Sequence, residues 1–356
     1  MIHKFDLNSN SYDVWFEKIV DFLREKDSLV IYDSSEQNLN QDFYEQFDSK
    51  KNQIGIFSSG STGRPKLLIH SIDDLLSFKA KEKINWSTFY RPDRMAGLQA
   101  ILHAWKSKGD LIFLDAKCSL SNLSEKVFDK LKYIDSLSGT PSQFRHFDKE
   151  FFRHMKSLKS ITLGGEAVEQ ADINLLKSLS NGAKIYQIYA SSEYGAMCTV
   201  KDEIEGLPTK FFKGENPRFK ISDKNEILVK PFTVAKNHKS SNNYFATGDL
   251  VELHNDRYYF VGRSDNRVSV GGVLVSPEKI EKSLREMPEV TNCRVIVKKN
   301  PILGSIMVGE VVPSTSAITE EEILKKYANE PIWKKPHKLK FCDSIPVSDA
   351  GKVKRK

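Results

Sequence analysis

The most restrictive feature of this sequence is a regular alternation of helical and extended patterns over residues 93–190. Apolar residues recur there with the period of an amphipathic helix and then in the short runs of a buried strand. The predicted helices span residues 93–107, 121–131, 141–148 and 168–179, and the predicted strands span residues 111–114, 133–137, 160–163 and 184–188. Strands that alternate with helices in this way form a parallel sheet covered by helices. The middle of the chain is therefore predicted to be an α/β domain.

The pattern changes on both sides of this region. Residues 12–25 predict an amphipathic helix and residues 29–32 a strand, both packing against the main sheet. After Glu193 a β-rich layer is predicted, with strands over residues 196–200, 218–221, 226–230, 249–253 and 257–261. A small α+β region follows, with two strands split by Gly271 and Gly272, helices over 277–287 and 319–329, and strands over 291–298 and 305–312. We therefore predict an N-terminal domain over residues 1–262 and a small C-terminal domain over residues 263–356.

Composition excludes several classes of protein. No apolar run reaches the roughly 18 residues of a membrane span, and the first seven residues hold no secretory signal, so the predicted compartment is the cytoplasm. The four cysteines form no C-x-x-C pair, which disfavours a zinc site.

Most of the net charge of +7 comes from residues 333–356, which hold seven lysines and one arginine against two aspartates. A charged tail rather than a basic nucleic-acid-binding face is predicted.

A loop rich in serine and glycine lies between two apolar runs, residues 54–57 and 67–69. Its nine residues are Ser58, Ser59, Gly60, Ser61, Thr62, Gly63, Arg64, Pro65 and Lys66. Glycines let backbone N–H groups turn inward into an anion-binding nest, hydroxyls add donors, and the lysine supplies a positive charge. The spacing is not that of a Walker loop, because the lysine directly follows a proline. The pattern predicts a phosphate-binding loop between two strands, with a solvated turn as the alternative.

Two strands of the α/β region end in unusual residues, and ligands bind beyond the carboxyl ends of strands in such sheets. The first group is Gly164, Gly165 and Glu166, and the second is Tyr189, Ala190, Ser191, Ser192 and Glu193. The glycine pair permits a flat ring or a phosphate to approach the backbone, although an ordinary turn into the next helix explains it equally well. Glu193 suits Mg²⁺, because a hard cation prefers oxygen ligands.

Three further groups lie in the second half of the chain. They are Thr247-Gly248-Asp249, Gly262-Arg263-Ser264-Asp265 and Ala350-Gly351-Lys352. The carboxylate of Asp249 is suited to accept two hydrogen bonds from a ribose diol. Taken alone, a Thr-Gly-Asp sequence is simply a turn and a basic C-terminus is a solvated tail, so each group gains meaning only from the others.

The order and spacing of these groups resemble the adenylate-forming superfamily of acyl-CoA and aryl-CoA ligases, peptide-synthetase adenylation domains and firefly luciferase. The serine- and glycine-rich loop matches the family's phosphate loop, and Tyr-Ala-Ser-Ser-Glu matches its Tyr-Gly-x-Thr-Glu. The Thr-Gly-Asp, Gly-Arg-Ser-Asp and Ala-Gly-Lys groups match its ribose, hinge and terminal lysine motifs. Departures at Leu67, Ala190, Ser192 and Ala246 remove no charged catalytic group. Because only 57 residues precede the loop, an N-terminal subdomain of the family is expected to be reduced or missing.

The resemblance implies a two-step reaction, in which a carboxylic acid and ATP form an acyl-adenylate that a thiol, CoA in the first place, converts to a thioester. The implied catalytic residues are Lys352 at the α-phosphate, Glu193 on Mg²⁺ and Lys66 with residues 58–63 on the outer phosphates. The implied nucleotide contacts are Asp249 and Arg263 on the ribose, and Tyr189 and the backbone of Gly164–Glu166 around adenine. Ser192 is a further implied contact to the nucleotide. Asp265 is the implied hinge of a mobile C-terminal domain.

The nature of the acid is indicated only by the region around the implied acyl pocket. Residues 91–97 and 138–143 resemble segments of 2-succinylbenzoate-CoA ligases, which makes Arg94 and Gly97 candidates for the pocket wall. Arg94 either pairs with a second substrate carboxylate or is an ordinary surface arginine. An acyl carrier protein is the alternative acceptor. A nucleotide-binding paralogue without turnover is a third interpretation, disfavoured because the charged residues are retained.

Overall fold

The computed structural model divides into two compact units, each described here by itself. Unit 1 comprises Met1–Glu205, Pro231–Asn243 and Asp349–Gly351, and unit 2 comprises Gly206–Lys230, Tyr244–Ser348 and Lys352–Lys356. The structure describes residues 2–37, 45–48, 52–58, 66–76, 78–79, 82–115, 125–215, 217–231, 233–236, 244–348 and 352–354. None of the helices in these ranges combines the length and the hydropathy that crossing a membrane requires.

The first sheet of unit 1 has four strands in chain order. They are β1 (Ile2–Asp6), β2 (Ser28–Tyr32), β3 (Gln53–Ser58) and β4 (Lys66–Ser71). The first three are parallel, whereas β4 returns antiparallel to β3. Helix α1 (Trp15–Arg24) confirms the predicted amphipathic helix, with Trp15, Ile19 and Leu23 in the core. A 3₁₀ turn over Tyr12–Val14 precedes it.

The second sheet of unit 1 confirms the predicted α/β alternation. Its strands are β5 (Trp86–Thr88), β6 (Leu111–Phe113), β7 (Ser136–Gly139), β8 (Ser160–Gly164), β9 (Lys184–Ser191) and β10 (Gly195–Val200). They lie in the order β10–β9–β8–β7–β5–β6, parallel except for β10. The prediction that residues 196–200 begin the β-rich layer is wrong. A three-residue turn folds β10 straight back along β9, so it closes the edge of the parallel sheet.

Within the described ranges, six more helices accompany the two sheets of unit 1. They are α2 (Ile72–Leu75), α3 (Met95–Lys106), α4 (Glu125–Leu131), α5 (Pro141–Phe144), α6 (Lys149–Arg153) and α7 (Gln170–Leu179). The single helix predicted over residues 141–148 is two short helices. The Asp148 side chain accepts a hydrogen bond from the Phe151 N–H and thereby starts α6 as a new helix.

Unit 2 contains the β-rich layer and the small α+β region. The layer has strands β11 (Leu207–Pro208), β12 (Phe219–Ile221), β13 (Glu226–Val229), β14 (Phe245–His254) and β15 (Arg257–Arg263), in the order β11–β15–β14–β13–β12. The remainder is the hairpin β16 (Val268–Val270) and β17 (Val273–Val275), helices α8 (Pro277–Arg285) and α9 (Glu320–Lys325), and a sheet of β18 (Val290–Asn300), β19 (Gly304–Pro313) and β20 (Lys338–Phe341). The predicted domain boundary at residue 262 marks an expected hinge, whereas the two units are defined by their compactness. The boundary therefore stays a prediction.

Candidate active site

The serine- and glycine-rich loop joins the two strands of an antiparallel hairpin, as predicted. Ser58 ends β3, Lys66 begins β4, and the two residues are direct partners in the ladder. Ser58 is buried and Lys66 is exposed. The loop therefore starts and finishes at one end of the hairpin, with the lysine at its exit. Ser59, Gly60, Ser61, Thr62 and Gly63 lie outside the described residues.

The turn between β9 and β10 carries Glu193. Tyr189 lies in the last part of β9, Ser191 Oγ accepts a hydrogen bond of 3.2 Å from the Tyr194 N–H, and the Ala235 N–H donates to the Glu193 carbonyl at 2.8 Å. Burial raises the pKa of the Tyr194 phenol, and the nearby Glu193 carboxylate raises it further. In the described ranges this carboxylate has no ion pair, so its oxygens are available as ligands for a hard cation.

The glycine pair at the end of β8 is held by groups from two neighbouring segments. The Tyr90 phenol donates to the Gly164 carbonyl at 2.9 Å, and burial raises the pKa of that phenol. Gly165 follows with a φ of 81°, a left-handed conformation that favours glycine. The Glu166 carboxylate accepts from the Ser142 N–H at the start of α5, at 3.1 Å. Backbone rather than side-chain groups therefore remain at this strand end to meet a ligand.

In unit 2 the Thr-Gly-Asp group is built around an arginine. Asp249 and Arg263 are partners across β14 and β15, with 2.9 Å between Arg263 Nη1 and Asp249 Oδ1. Burial lowers the pKa of Arg263, but the charges of Asp249 and Asp265 outweigh this and raise it. Gly248 has a φ of 80°, and a Cβ there would lie 2.6 Å from Arg263 Nη2. Only glycine therefore lets the guanidinium lie against this turn.

The implied hinge residue, Asp265, lies two residues after Arg263. Asp265 is exposed in the turn between β15 and β16, with 3.0 Å between its Oδ1 and Arg263 Nε. The next turn contains Gly271 and Gly272 with φ values of 58° and 85°, and a Cβ at Gly272 would meet no atom within 4 Å. The space around Gly272 is therefore open, whereas the Gly271 N–H donates to the Leu303 carbonyl at 3.0 Å.

Lys352 lies on a short hairpin beyond the last strand of unit 2. Val347 and Val353 form a bridge, the Ser348 N–H donates to the Lys352 carbonyl at 2.7 Å, and the Lys354 N–H donates to the Pro346 carbonyl at 2.9 Å. These contacts fix the backbone of Lys352 independently of its side chain. Residues 349–351, which complete the Ala-Gly-Lys group, lie outside the described residues.

Arg94, one of the two candidates for the acyl pocket, belongs to a partly buried ion-pair network. Arg94 Nη2 lies 2.7 Å from Glu36 Oε2, and Arg94 Nη1 donates to the Phe57 carbonyl at 3.1 Å. Arg91 reaches Asp33 and Asp93, at 2.6 and 3.0 Å respectively. Both terminal nitrogens of Arg94 are thus already occupied by protein groups.

Comparison with known proteins places the chain in a family. Residues 16–215, more than half of the chain, match the AMP-binding enzyme family, and residues 279–352 match the AMP-binding enzyme C-terminal domain. The chain belongs to the AMP-binding enzyme family. Among curated relatives, the rat mitochondrial acyl-coenzyme A synthetase ACSM4 is 24% identical over 84% of this chain and 59% of its own length. The human mitochondrial acyl-coenzyme A synthetase ACSM5 is 25% identical, again over 84% and 59%. The chain thus spans about three fifths of these relatives.

Solved structures share the fold of this AMP-binding enzyme. The anthranilate CoA ligase AuaEII, in complex with anthranoyl-AMP, has a TM-score of 0.67 at 17% identity, covering 99% of this chain and 76% of that one. The o-succinylbenzoate CoA synthetase MenE from Bacillus subtilis, in complex with an acyl-adenylate, has a TM-score of 0.64 at 18% identity, covering 96% and 80%. The predicted fold class, a large α/β domain with a small α+β domain, is confirmed.

Sequence reasoning missed several residues that shape this AMP-binding enzyme's site. Tyr90 holds the glycine pair of β8, and Gly248 admits Arg263. His70 is completely buried, with its Nε2 at 2.9 Å from the Ser192 carbonyl oxygen. The position of Gly248 within the Thr-Gly-Asp group was a usable signal in the sequence. Tyr90 and His70 gave none, because their partners lie 74 and 122 residues away in sequence.

The Arg94 network leads to a prediction about stability. Replacing Arg94 with methionine removes the closest cation of the Glu36 carboxylate, which keeps Arg91 Nη1 at 3.1 Å. We therefore expect the free energy of unfolding to fall by about 1.5–3 kcal/mol, the usual contribution of a hydrogen bond to a charged group. Urea denaturation measures this change. Arg24→Met, which removes an exposed pair with Asp21, is the matched control and should cost less than about 1 kcal/mol. Equal losses for both variants would contradict a stabilising role for Arg94.

Proposed function

We propose that this chain is an ATP-dependent acid–thiol ligase, which activates a carboxylic acid as an acyl-adenylate and then forms its thioester with CoA. The observation that carries the proposal is the contact between His70 and Ser192. It brings the hairpin that presents the phosphate loop directly against the turn that presents Glu193. A polyphosphate grip and an available carboxylate on two elements that contact each other suit phosphoryl chemistry on a magnesium-bound nucleotide.

The first step needs charge stabilisation more than acid or base catalysis. An oxygen of the substrate carboxylate attacks the α-phosphorus of ATP, the bond from that phosphorus to the β-bridging oxygen breaks, and pyrophosphate leaves. The proposed roles are Lys66 and residues 58–63 on the β- and γ-phosphates, Glu193 on Mg²⁺, and Lys352 between the carboxylate and the α-phosphate. When bound, Mg²⁺ neutralises the charge that develops on the departing phosphates.

The nucleoside is assigned to groups with the matching hydrogen-bonding capacity. Asp249 accepts from the ribose hydroxyls, and Arg263 orients this carboxylate at 2.9 Å. Tyr189 offers a flat face to adenine, the Ser192 hydroxyl lies nearby in the chain, and the backbone of Gly164–Glu166 supplies the opposite side. In the second step a thiolate attacks the acyl carbon of the adenylate, and AMP departs as the acyl–oxygen bond breaks.

The substrate acid and the thiol acceptor are proposed by chemical class. Because Arg94 is occupied by Glu36, a second carboxylate on the substrate would have to displace that partner, so acids with one carboxylate are expected first. Two relatives in the fold comparison carry names of aromatic-acid ligases, which favours aromatic acids early in a screen. CoA is the proposed acceptor, with an acyl carrier protein as the alternative. The turn at Gly271 and Gly272 is proposed to approach the pantetheine, and Asp265 to act as the hinge.

The compartment also remains a proposal. The sequence favours the cytoplasm, whereas the curated relatives ACSM4 and ACSM5 are named as mitochondrial proteins. Fractionation of cells that express the chain with an epitope tag decides between the two.

The decisive experiment measures pyrophosphate release with Mg·ATP and a panel of aromatic, aliphatic and dicarboxylic acids. We expect release with at least one acid, and thioester formation when CoA is then added. Adenylate formation followed by transfer only to a phosphopantetheinylated carrier would assign the alternative acceptor. No release with any acid would contradict the ligase activity and leave a nucleotide-binding paralogue as the better interpretation.

Asp249 gives a prediction about nucleotide selectivity. A carboxylate that accepts from a ribose hydroxyl is worth about 1.5–3 kcal/mol, so Asp249→Ala should weaken ATP binding by roughly 10- to 150-fold. The same change should abolish the preference of the protein for ATP over 2′-deoxy- and 3′-deoxy-ATP, measured by calorimetric titration. Asp223→Ala, an exposed aspartate in the same unit, should leave both quantities unchanged. A variant that still discriminates against both deoxynucleotides would exclude the ribose contact.

A further inference from the structure

His70 stands out because a fully buried imidazole joins two elements that both carry proposed catalytic groups. It lies in β4, four residues after Lys66, so the two side chains are on the same face of that strand, about 13 Å apart along it. Its Nε2 lies 2.9 Å from the carbonyl oxygen of Ser192. Because a carbonyl oxygen can only accept, Nε2 carries the proton and His70 is the donor.

Two further hydrogen bonds close a ring around the same turn. The Ala235 N–H donates to the Glu193 carbonyl at 2.8 Å, and the Lys236 N–H donates to the Ile69 carbonyl at 2.9 Å. The short segment over residues 233–236 is thereby tied both to the Glu193 turn and to β4. The hydrogen bond from His70 to the Ser192 carbonyl completes the ring by joining β4 to the turn. All three segments belong to unit 1.

The arrangement has a specific consequence for Glu193. The peptide group before its Cα is fixed through the Ser192 carbonyl, and the peptide group after it is fixed through the Glu193 carbonyl. That second peptide is also held through the Tyr194 N–H, which donates to Ser191 Oγ. With both flanking peptide planes held, the direction of the Glu193 Cα–Cβ bond is set, and only side-chain rotation remains.

We infer that His70 is a positioning residue that aims the Glu193 carboxylate and keeps it in register with the hairpin of the phosphate loop. The inference rests on the proposed function, in which Glu193 binds Mg²⁺ and the loop binds the outer phosphates of the same nucleotide. Without the imidazole, the peptide between Ser192 and Glu193 loses the donor to its carbonyl, so one of the two constraints on the direction of the Glu193 Cα–Cβ bond is lost. Groups that orient a metal ligand typically contribute 10- to 100-fold to metal affinity, so the expected effect is about this size.

The test replaces the ring without leaving a hole. His70→Phe keeps an aromatic ring in the buried site but removes the donor, whereas His70→Gln retains a donor of similar reach. ATP binding is measured by calorimetry over a series of MgCl₂ concentrations. We expect the magnesium concentration at which ATP binding is half-maximal to rise roughly 10- to 100-fold in His70→Phe. In His70→Gln this concentration should return close to the wild-type value. His103→Phe is the control, because His103 is a partly buried histidine of unit 1 that packs on Phe78.

The outcomes separate this inference from the proposed function. If the wild-type chain binds no Mg·ATP, the proposed function fails, and the inference fails with it. If wild type binds Mg·ATP and His70→Phe requires no more magnesium than His103→Phe, the inference alone is overturned. A rise that His70→Gln does not reverse would also overturn it, since loss of packing rather than of the donor would then be responsible. Should His70→Phe not fold, His70→Asn, whose amide is too short to reach Ser192, takes its place.

Discussion

Replacing Lys352 with alanine should lower the rate of acid-dependent pyrophosphate release by about 100- to 1,000-fold, the usual effect of removing one charge-stabilising donor from a transition state. The proposed role of Lys352 is to stabilise charge that develops between the attacking carboxylate and the α-phosphate. The affinity for ATP should change little, because the phosphate loop and Asp249 are untouched. A stopped assay for pyrophosphate at saturating ATP measures the rate, and calorimetry measures the affinity.

The hairpin that carries Lys352 offers a close control. Lys354 lies two residues further along and is exposed, and its hydrogen bonds with Arg294 and Pro346 use its backbone groups. Lys354→Ala should therefore keep the wild-type rate within about threefold, consistent with a surface substitution. Both variants should unfold at the same temperature, since the hairpin is held through Val347 and Val353 and through backbone groups. Pyrophosphate release by Lys352→Ala at close to the wild-type rate would remove this lysine from the mechanism.

Replacing Gly97 with alanine should destabilise the first unit by about 3 kcal/mol or more, at the upper end of what overpacking costs. A Cβ at Gly97 would lie 2.0 Å from the Arg91 carbonyl oxygen and 2.5 Å from its carbonyl carbon. The clash is with backbone, so no side-chain rotation relieves it, and α3 must move away from residues 91–92. That movement would also strain the network of Arg91 and Arg94. Urea denaturation followed by circular dichroism gives the change in the free energy of unfolding.

A second glycine separates steric clash from backbone strain. Gly182 has a φ of 81°, but a Cβ there would meet no atom within 4 Å. Gly182→Ala should thus cost only the conformational penalty of a left-handed residue, about 1–2 kcal/mol. We expect Gly97→Ala to exceed this value clearly. If the order is reversed, Gly97 does not serve as a packing residue, and its candidate role in the acyl pocket becomes the better explanation for a glycine at this position.

The elements predicted well are those whose pattern is local. The helix at Trp15–Arg24 and the alternation from Met95 to Ser191 follow from periodicity, and the hairpin around the phosphate loop follows from two apolar runs. Strand β20 was not predicted, because Lys338 and Lys340 alternate with Leu339 in a segment dominated by lysine. Its identity as a strand depends on pairing in parallel with β19, where Gly309 lies opposite Leu339. No local pattern carries that information.

The candidate site likewise contains residues that the sequence predicts and partner residues that it does not. Residue types that bind phosphate, metal or ribose are visible in the sequence, since their groups recur in a fixed order. The partners that orient them are not visible. Arg94 and Glu36 are 58 residues apart, and the deciding contact of Arg94 is known only once the chain is folded. The same reasoning applies to Gly248, whose importance lies in the space that Arg263 occupies.

The turn that carries Glu193 has a consequence for the order in which the protein folds. Strands β9 and β10 are joined by three residues, so this hairpin needs almost no loop closure and should form within about 1–10 μs. Its contact with His70 closes a loop of 122 residues and pays a much larger entropic cost. The Glu193 carboxylate should therefore lie on a native-like hairpin well before the contact with His70 fixes its direction. Substitutions at His70 should then accelerate unfolding while leaving the folding rate nearly unchanged, which places the last step of site assembly late on the folding pathway.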